Sequence, residues 1–256
     1  MIEGRGESAE TVDAPPVRSE VTAPMIVTAC GGTDAANIVL FWPDNLPDDG
    51  DTRLASDPIE FARALQKAGK LIWFPCDGDG GYSVAIYVDA AVPEELLAFC
   101  EEVETYPMVH VRSVGYFGGM EYMFKRDSRL ALRYPGEFEK VSLPERAYAA
   151  TVYCTDVPEI AYESWLKDRV GPSSKRLWEL HAAIGCCSAI SVIASLACIF
   201  FLSWRHWSYV VGTAVLLSVS AILLSRTRAY KRFSAAQEEV ARVYPTYVVQ
   251  LTAAGP

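Results

Sequence analysis

Apolar residues lie in short runs over residues 21–160 and in two long charge-free stretches farther along the chain. No Asp, Glu, Lys or Arg occurs in residues 180–204 or in residues 206–225, which are stretches of 25 and 20 residues. An α-helix rises about 1.5 Å per residue, so about 20 residues cross a hydrocarbon core about 30 Å thick. The pattern predicts two transmembrane helices, at about 182–203 and 207–225.

A very short turn, Trp204 to Trp207, joins the two predicted spans. Such a turn makes the helices antiparallel neighbours, and small residues let their backbones approach closely in lipid. In an antiparallel hairpin, the residue numbers of two facing residues add up to a nearly constant value. This rule pairs Cys198 with Ala214, Ser195 with Ser218, Ser191 with Ala221 and Cys187 with Ser225. These pairs predict a two-helix antiparallel transmembrane hairpin over 173–225, with lipid or other chains facing Ile190, Ile193, Leu216 and Leu223. The alternative is a buried pair of helices in a soluble protein.

Short apolar runs bounded by Gly, Pro and Asp predict strands and helices in residues 21–170. Asp57-Pro58-Ile59-Glu60 has a capping carboxylate, a first-turn proline and the spacing of a capping box. The predicted strands are 25–30, 37–42, 71–75, 82–88, 108–114, 121–124 and 147–153, and the predicted helices are 58–68, one from Pro93, and 157–169. Residues 43–56 are predicted to be a loop, and residues 77–81 the turn of a hairpin. This order predicts an α+β cytoplasmic domain, after a flexible tail over residues 1–20.

The segment after the second span, 226–256, has its own pattern. Spacings of three and four residues place Ala229, Phe233, Ala236, Val240 and Val243 on one helix face. The segment is therefore predicted to continue as a helix to about Val243, with a strand at 247–251 that joins the domain.

Charge is distributed unevenly along the chain. Residues 1–160 carry 13 basic and 27 acidic side chains, net −14, whereas residues 161–256 carry 10 and 5, net +5. The overall net charge of −9 argues against a nucleic-acid binder, which needs a basic face. Nine basic residues flank the outer ends of the spans, against Arg205 alone in the turn: Lys167, Arg169, Lys175, Arg176, Arg226, Arg228, Lys231, Arg232 and Arg242. This bias, and a start without the apolar stretch of a signal peptide, predict that both termini are cytoplasmic.

The sequence contains one weak cation candidate, Asp77 and Asp79. Alternating aspartates resemble the start of a calcium loop, but an EF-hand needs glycine at the sixth position and glutamate at the twelfth. Tyr82 and Val88 occupy those positions, so the run is interpreted as a hairpin turn with at most an opportunistic cation site. The three histidines are dispersed and no metal-ligand spacing occurs, so neither a metal nor a cofactor is expected.

Cysteine chemistry is equally sparse. The seven cysteines are expected to be reduced thiols in the cytoplasm. A nucleophile and base formed by Cys100 and His110 is weighed against a buried cysteine on a helix, which is the preferred interpretation. Cys186 and Cys187 lie at the start of the first span, where Cys186 is a candidate for reversible acylation and the alternative is a packing role.

These observations favour a binding function over catalysis. The sequence predicts a two-pass integral membrane protein whose acidic cytoplasmic domain binds a protein or small ligand beside the lipid bilayer. One alternative is a membrane-anchored enzyme of unrecognised type, with Asp77, Asp79 and His110 gathered in a pocket. The other is an oligomeric pore or assembly subunit, in which polar span residues face partner chains.

Overall fold

The computed structural model of the chain describes residues 23–125, 127–133, 138–198 and 204–254. Within these residues, nine strands form one mixed sheet in the order β3-β2-β6-β7-β1-β4-β9-β8-β5. The strands are β1 Met25–Thr33, β2 Ile38–Phe41, β3 Leu71–Phe74, β4 Gly80–Val88, β5 Cys100–Val111, β6 Val114–Gly119, β7 Phe138–Ser142, β8 Arg146–Thr155 and β9 Tyr247–Ala253. The predicted tail, residues 1–20, lies outside the described residues.

Eight α-helices lie between the strands of the described chain. They are α1 Gly50–Ser56, α2 Pro58–Lys67, α3 Glu94–Leu97, α4 Arg129–Arg133, α5 Glu159–Val170, α6 Pro172–Cys198, α7 Trp204–Ser225 and α8 Arg228–Val243. The cap predicted for α2 is present, because the Asp57 carboxylate accepts a hydrogen bond from the Glu60 N–H at 3.0 Å. Four consecutive helices, α5 to α8, separate the neighbouring strands β8 and β9.

The sheet curls into a nearly closed barrel, since its edge strands β3 and β5 approach each other. The His110 N–H donates to the Gly69 carbonyl at 2.8 Å, and the Trp73 N–H donates to the Tyr106 hydroxyl at 3.0 Å. Gly69 has a φ of +64°, and a Cβ there would collide with the Met108 carbonyl. Glycine therefore permits the approach of the two edges.

Large apolar side chains fill the interior of the barrel. The buried cluster includes Ile38, Leu40, Trp42, Phe74, Ile86, Phe117, Tyr148, Val249 and Leu251. Phe74 packs edge-on against Phe117 at 5.5 Å between ring centroids and lies 4.9 Å from Tyr247. Full burial of a large apolar side chain stabilises the fold by about 1.5–3 kcal/mol. The barrel interior is thus a packed core.

The predicted fold class, an α+β cytoplasmic domain followed by a two-helix antiparallel transmembrane hairpin, is wrong. The structure is a mixed, nearly closed sheet with helices, and its strand β9 follows the long helices in sequence yet lies between β4 and β8. A boundary at residue 170 would therefore separate strands of one sheet. The sequence predicted that the strand at 247–251 joins the domain, but not that it pairs with β4 and β8, because these partners are distant along the chain.

The membrane-span prediction also needs correction. Among the described residues, one helical stretch, Lys175–Ile193, is long and apolar enough to cross a bilayer. Val211–Ser225 meets the same criterion only together with α8, from which it is bent by 70°. A charge-free run need not be strongly apolar, because Gly and Ser are also uncharged. The predicted turn, 204–207, is the first turn of α7, and residues 199–203 lie outside the described part.

Several local predictions are confirmed and others are wrong. Strands near 25–30, 37–42 and 147–153, helices near 58–68 and 157–169, and the C-terminal helix and strand are present. By contrast, β3 and β4 do not form a hairpin, because β4 pairs with β1 along its whole length. Residues 121–124 are not a strand, the loop 43–56 contains α1, and Cys100 begins β5 instead of lying on a helix. Turn residues predicted where the chain turns, but they did not predict which strands pair with each other.

Helix α8 packs on α5 and on the first turns of α6. Its predicted apolar face supplies Phe233, Ala236 and Val240, all buried around Leu166 of α5. Trp178 of α6 stacks on Tyr230 at 5.2 Å and on Phe233 at 5.1 Å. The remainder of α6, from Ala182, and all of α7 form a unit that we call the helical arm. Its base is this aromatic cluster.

Candidate functional site

An open groove lies between α8 and the outer face of the sheet. It encloses about 640 Å³ and is lined by Cys30, Gly31, Gly32, Gly81, Tyr82, Ser83, Tyr162, Ser234, Gln237, Val240, Ala241, Tyr244 and Thr246. Strands β1, β4 and the residue before β9 form its floor, and α5 and α8 form its wall. Pockets of several hundred Å³ accommodate small molecules, so this groove is a candidate binding site.

Paired glycines create the space above the floor. Gly32 of β1 lies opposite Gly81 of β4, so neither strand projects a side chain at this point. A Cβ on Gly81 would meet nothing within 4 Å. Gly31, by contrast, is in close contact with the backbone of Phe117 and Gly118, and a side chain there would collide with it. The floor is therefore open above Gly32 and Gly81, whereas Gly31 packs it against the backbone of β6.

Hydroxyl groups hold the floor in place beside the glycines. The Thr246 N–H donates to Ser83 Oγ at 3.0 Å, and the Ser83 N–H donates to Thr246 Oγ1 at 3.2 Å. These reciprocal bonds fix the start of β9 against β4. They also orient two hydroxyls at the groove surface, where a ligand can exchange hydrogen bonds with them.

None of the residues that line the groove is charged. An ionised ligand would lose hydration there without gaining a counter-ion, so the lining favours uncharged ligands. The exposed Cys30 is the strongest nucleophile of the lining, and its backbone N–H donates to Glu139 Oε2 at 2.6 Å. The lining itself contains no His, Asp, Glu or Lys, although the Glu139 carboxylate lies next to the backbone of Cys30.

A second cluster, at one end of the barrel, contains Cys76, Cys154 and Tyr247. Burial raises the pKa of both thiols and of the Tyr247 phenol, and the negative charge of Asp77 raises all three further. The Tyr247 hydroxyl donates to the Pro75 carbonyl. Raised pKa values keep these groups protonated at neutral pH, so the thiols are poor nucleophiles. Cys76 and Cys154 pack against the apolar core of the barrel.

The structure does not gather the predicted catalytic or metal-ligating groups. Asp79 Oδ1 accepts from the Ala36 N–H at 3.1 Å, so it stabilises a loop. His110 lies beside Gly69 at the start of β3, whereas Asp77 and Asp79 follow its other end. Among the described residues, no group of three His, Cys, Asp or Glu side chains can hold a metal ion.

Cys100 and His110 lie at opposite ends of β5. Strands rise about 3.3 Å per residue, so about 30 Å separates them. They cannot act together as nucleophile and base within one chain.

The small residues predicted to pack the two long helices meet in a different register. Ser188 Oγ lies 2.6 Å from Ser218 Oγ. The predicted partner of Ser218 was Ser195, which lies two helical turns after Ser188. Ala214 is buried, Ala221 is half-buried, and the Ser191 hydroxyl donates to the Cys187 carbonyl at 2.8 Å. A periodic stripe of small residues permits both registers, which explains the shift. The Ser225 hydroxyl bonds the Ile222 carbonyl, and the side chains of Ser195 and Cys198 lie outside the described part.

The helical arm exposes large apolar side chains. Those that are more than two-fifths exposed are Ile190, Val192, Ile193, Tyr209, Val215, Leu216, Val219, Ile222 and Leu223. They include all four that were predicted to face lipid or other chains. Cys186 and Cys187 are exposed on the same arm. Together these side chains make the arm a candidate contact surface.

Comparisons with known proteins leave function open. No known protein family matches the sequence, and no curated protein is similar to it. A solved structure described as "Crocagin biosynthetic gene J" resembles this chain with a TM-score of 0.36 and 13% sequence identity. The match covers 52% of this chain and 79% of that one. So distant a likeness supports no statement about activity, and the geometry of this chain must carry the argument.

Proposed function

We propose that this protein is a membrane-associated binding module. The helical arm inserts into a lipid bilayer, and the groove beside α8 binds an uncharged ligand next to the membrane. One observation carries the proposal: only 6% of the residues in the apolar window of Lys175–Ile193 are buried within the structure. The core helix of a soluble protein has a similar composition, but it is mostly buried. An exposed helix of this kind needs an apolar environment that the described part of the chain does not provide.

The sheet topology restricts how the arm can meet a membrane. The chain leaves the sheet at Thr155 and returns at Tyr247, and β8 and β9 are hydrogen-bonded neighbours. The Thr155 N–H even bonds the Thr246 carbonyl at 3.0 Å. A rigid sheet cannot be divided by a bilayer, so β1 to β8 and β9 lie on one side. The basic residues at the arm base favour the cytoplasmic side.

The groove supports the binding part of the proposal. It lies against Ser234 to Ala241 of α8, and α8 begins where the arm ends. The helix rises about 1.5 Å per residue, so the near end of the groove lies about 10 Å from Thr227. A ligand in the groove would sit close to the headgroup region. An uncharged amphiphile or an apolar protein segment suits its lining.

Cysteine labelling tests the insertion of the arm. Cys186 and Cys187 are exposed on the arm, and Cys30 is exposed in the groove. We expect a water-soluble maleimide to label all three thiols in detergent-free solution below the concentration of self-association. Addition of lipid vesicles should then abolish labelling of Cys186 and Cys187 and leave Cys30 unchanged, because thiolate formation requires water. Mass spectrometry of the separate peptides provides the readout.

Two results would overturn this proposal. Undiminished labelling of Cys186 and Cys187 with vesicles present would show that the arm stays in water. Protection that requires only a higher protein concentration, without lipid, would show that the arms cover each other, as in an oligomeric assembly.

A further inference from the structure

Five exposed cationic side chains surround the base of the helical arm, and we call them the basic collar. They are Arg176, Arg226, Arg228, Lys231 and Arg232. Residues 228, 231 and 232 share one face of α8, because positions three and four apart are neighbours on a helix. This face is turned away from the buried Phe233, Ala236 and Val240. The collar therefore points outward from the protein.

Two other cations near the collar form ion pairs with acidic side chains. Arg169 pairs with Glu239 at 2.6 Å, and Lys175 pairs with Glu163 and lies 3.9 Å from Glu179. No described acidic side chain forms an ion pair with any of the five collar residues. The first turn of α8 also contains no acidic residue to offset the positive end of the helix dipole. The concentrated positive charge remains available to an external anion.

The position of the collar matches the limit of the apolar surface. Arg176 lies at the start of the apolar stretch of α6, and Arg226 directly follows the apolar end of α7. The stacked rings of Trp178, Tyr230 and Phe233 lie at the same level. Amphipathic aromatic rings and cations at the end of an apolar segment are characteristic of the headgroup region of a bilayer.

We propose that the basic collar binds anionic phospholipid headgroups of the bilayer into which the arm inserts. The inference rests on the proposed membrane function and adds a lipid preference to it. Charge complementarity supplies the attraction, since the rest of the described sheet domain is acidic and would be repelled by such a surface. Each basic residue near an anionic surface raises vesicle affinity about fivefold.

Vesicle co-sedimentation with a charge-reversed collar tests the proposal. The variant Arg228→Glu/Lys231→Glu/Arg232→Glu is compared with the full wild-type chain on phosphatidylcholine vesicles and on vesicles that also contain phosphatidylserine. The matched control Arg63→Glu/Lys67→Glu/Lys140→Glu changes the net charge equally at exposed positions of α2 and β7. Circular dichroism establishes that each variant is folded.

We expect the wild type and the control to prefer anionic vesicles, and the collar variant to lose about 100-fold of that preference while binding neutral vesicles normally. High salt should reduce the wild-type preference in the same way. An equal loss of the preference for anionic vesicles in the control and collar variants would overturn the proposed role of the collar and leave the membrane function intact. No binding to any vesicle would overturn the membrane function itself. Displacement by millimolar glycerophosphate would assign the collar to a soluble phosphate and overturn the lipid proposal.

Discussion

A protein that lacks residues 246–256 is expected to have no cooperative unfolding transition. This truncation removes β9 from the middle of the sheet, where Tyr247, Val248, Val249 and Leu251 are buried to within 1%. At about 1.5–3 kcal/mol for each side chain, the loss is about 6–12 kcal/mol. That is comparable to the total stability of an ordinary domain, about 5–15 kcal/mol. Thermal melting followed by circular dichroism measures the effect.

Excision of the arm provides the matched control for this truncation. The variant removes 182–225, four times as many residues, and joins His181 to Arg226 through a short Gly-Ser linker. A short linker suffices because the rings of His181 and Tyr230 are 4.6 Å apart. We expect it to melt cooperatively at nearly the wild-type temperature. If the truncated chain melts cooperatively and the arm-less chain does not, β9 is not the strand that completes the sheet.

The single substitution Ile190→Arg is expected to reduce vesicle binding by more than about 100-fold. Placing arginine in the hydrocarbon core instead of isoleucine costs about 3–4 kcal/mol. The same substitution should not change the melting temperature of the sheet, because Ile190 is 66% exposed. Vesicle co-sedimentation and thermal melting on the same sample separate the two effects.

The control for this substitution is Ile59→Arg. Ile59 is an isoleucine on the exposed side of α2, 44% exposed, and it is part of the sheet domain. We expect Ile59→Arg to leave vesicle binding unchanged. Equal vesicle binding by the Ile190→Arg protein and the wild type would contradict insertion of this face of the arm.

Local structure was largely predictable from sequence because its determinants are local. The cap at Asp57 and the amphipathic face of α8 each lie within a few turns of the chain. That face packs against Leu166 of α5, a partner that periodicity alone could not identify. Periodicity predicts which side of a helix is apolar, whereas tertiary structure decides what covers it.

Strand pairing was not predictable in the same way. The turn chemistry of residues 77–81 predicted that β3 and β4 pair, but β4 lies between β1 and β9 and contributes Val84 to Val88 to buried surfaces on both sides of the sheet. The choice of partner depends on contacts across as many as 163 positions, such as those of Ser83 with Thr246. No local pattern contains this information.

The groove was missed for a similar reason. Its lining comes from β1, β4, α5, α8 and the start of β9, so its residues are close only in the folded chain. A signal was present in Gly32 and Gly81, but the sequence did not show that these glycines lie opposite each other on paired strands. Glycines that face each other in this way leave space for a ligand. The exposed arm, in contrast, was detectable from its charge-free composition.

Flotation of the full chain and the arm-less chain with lipid vesicles in a density gradient tests insertion of the arm most directly. We expect the full chain to float with the vesicles and the arm-less protein, folded by circular dichroism, to stay at the bottom. Flotation of both proteins would place membrane contact on the sheet domain. A full chain that stays at the bottom would contradict the proposed membrane function.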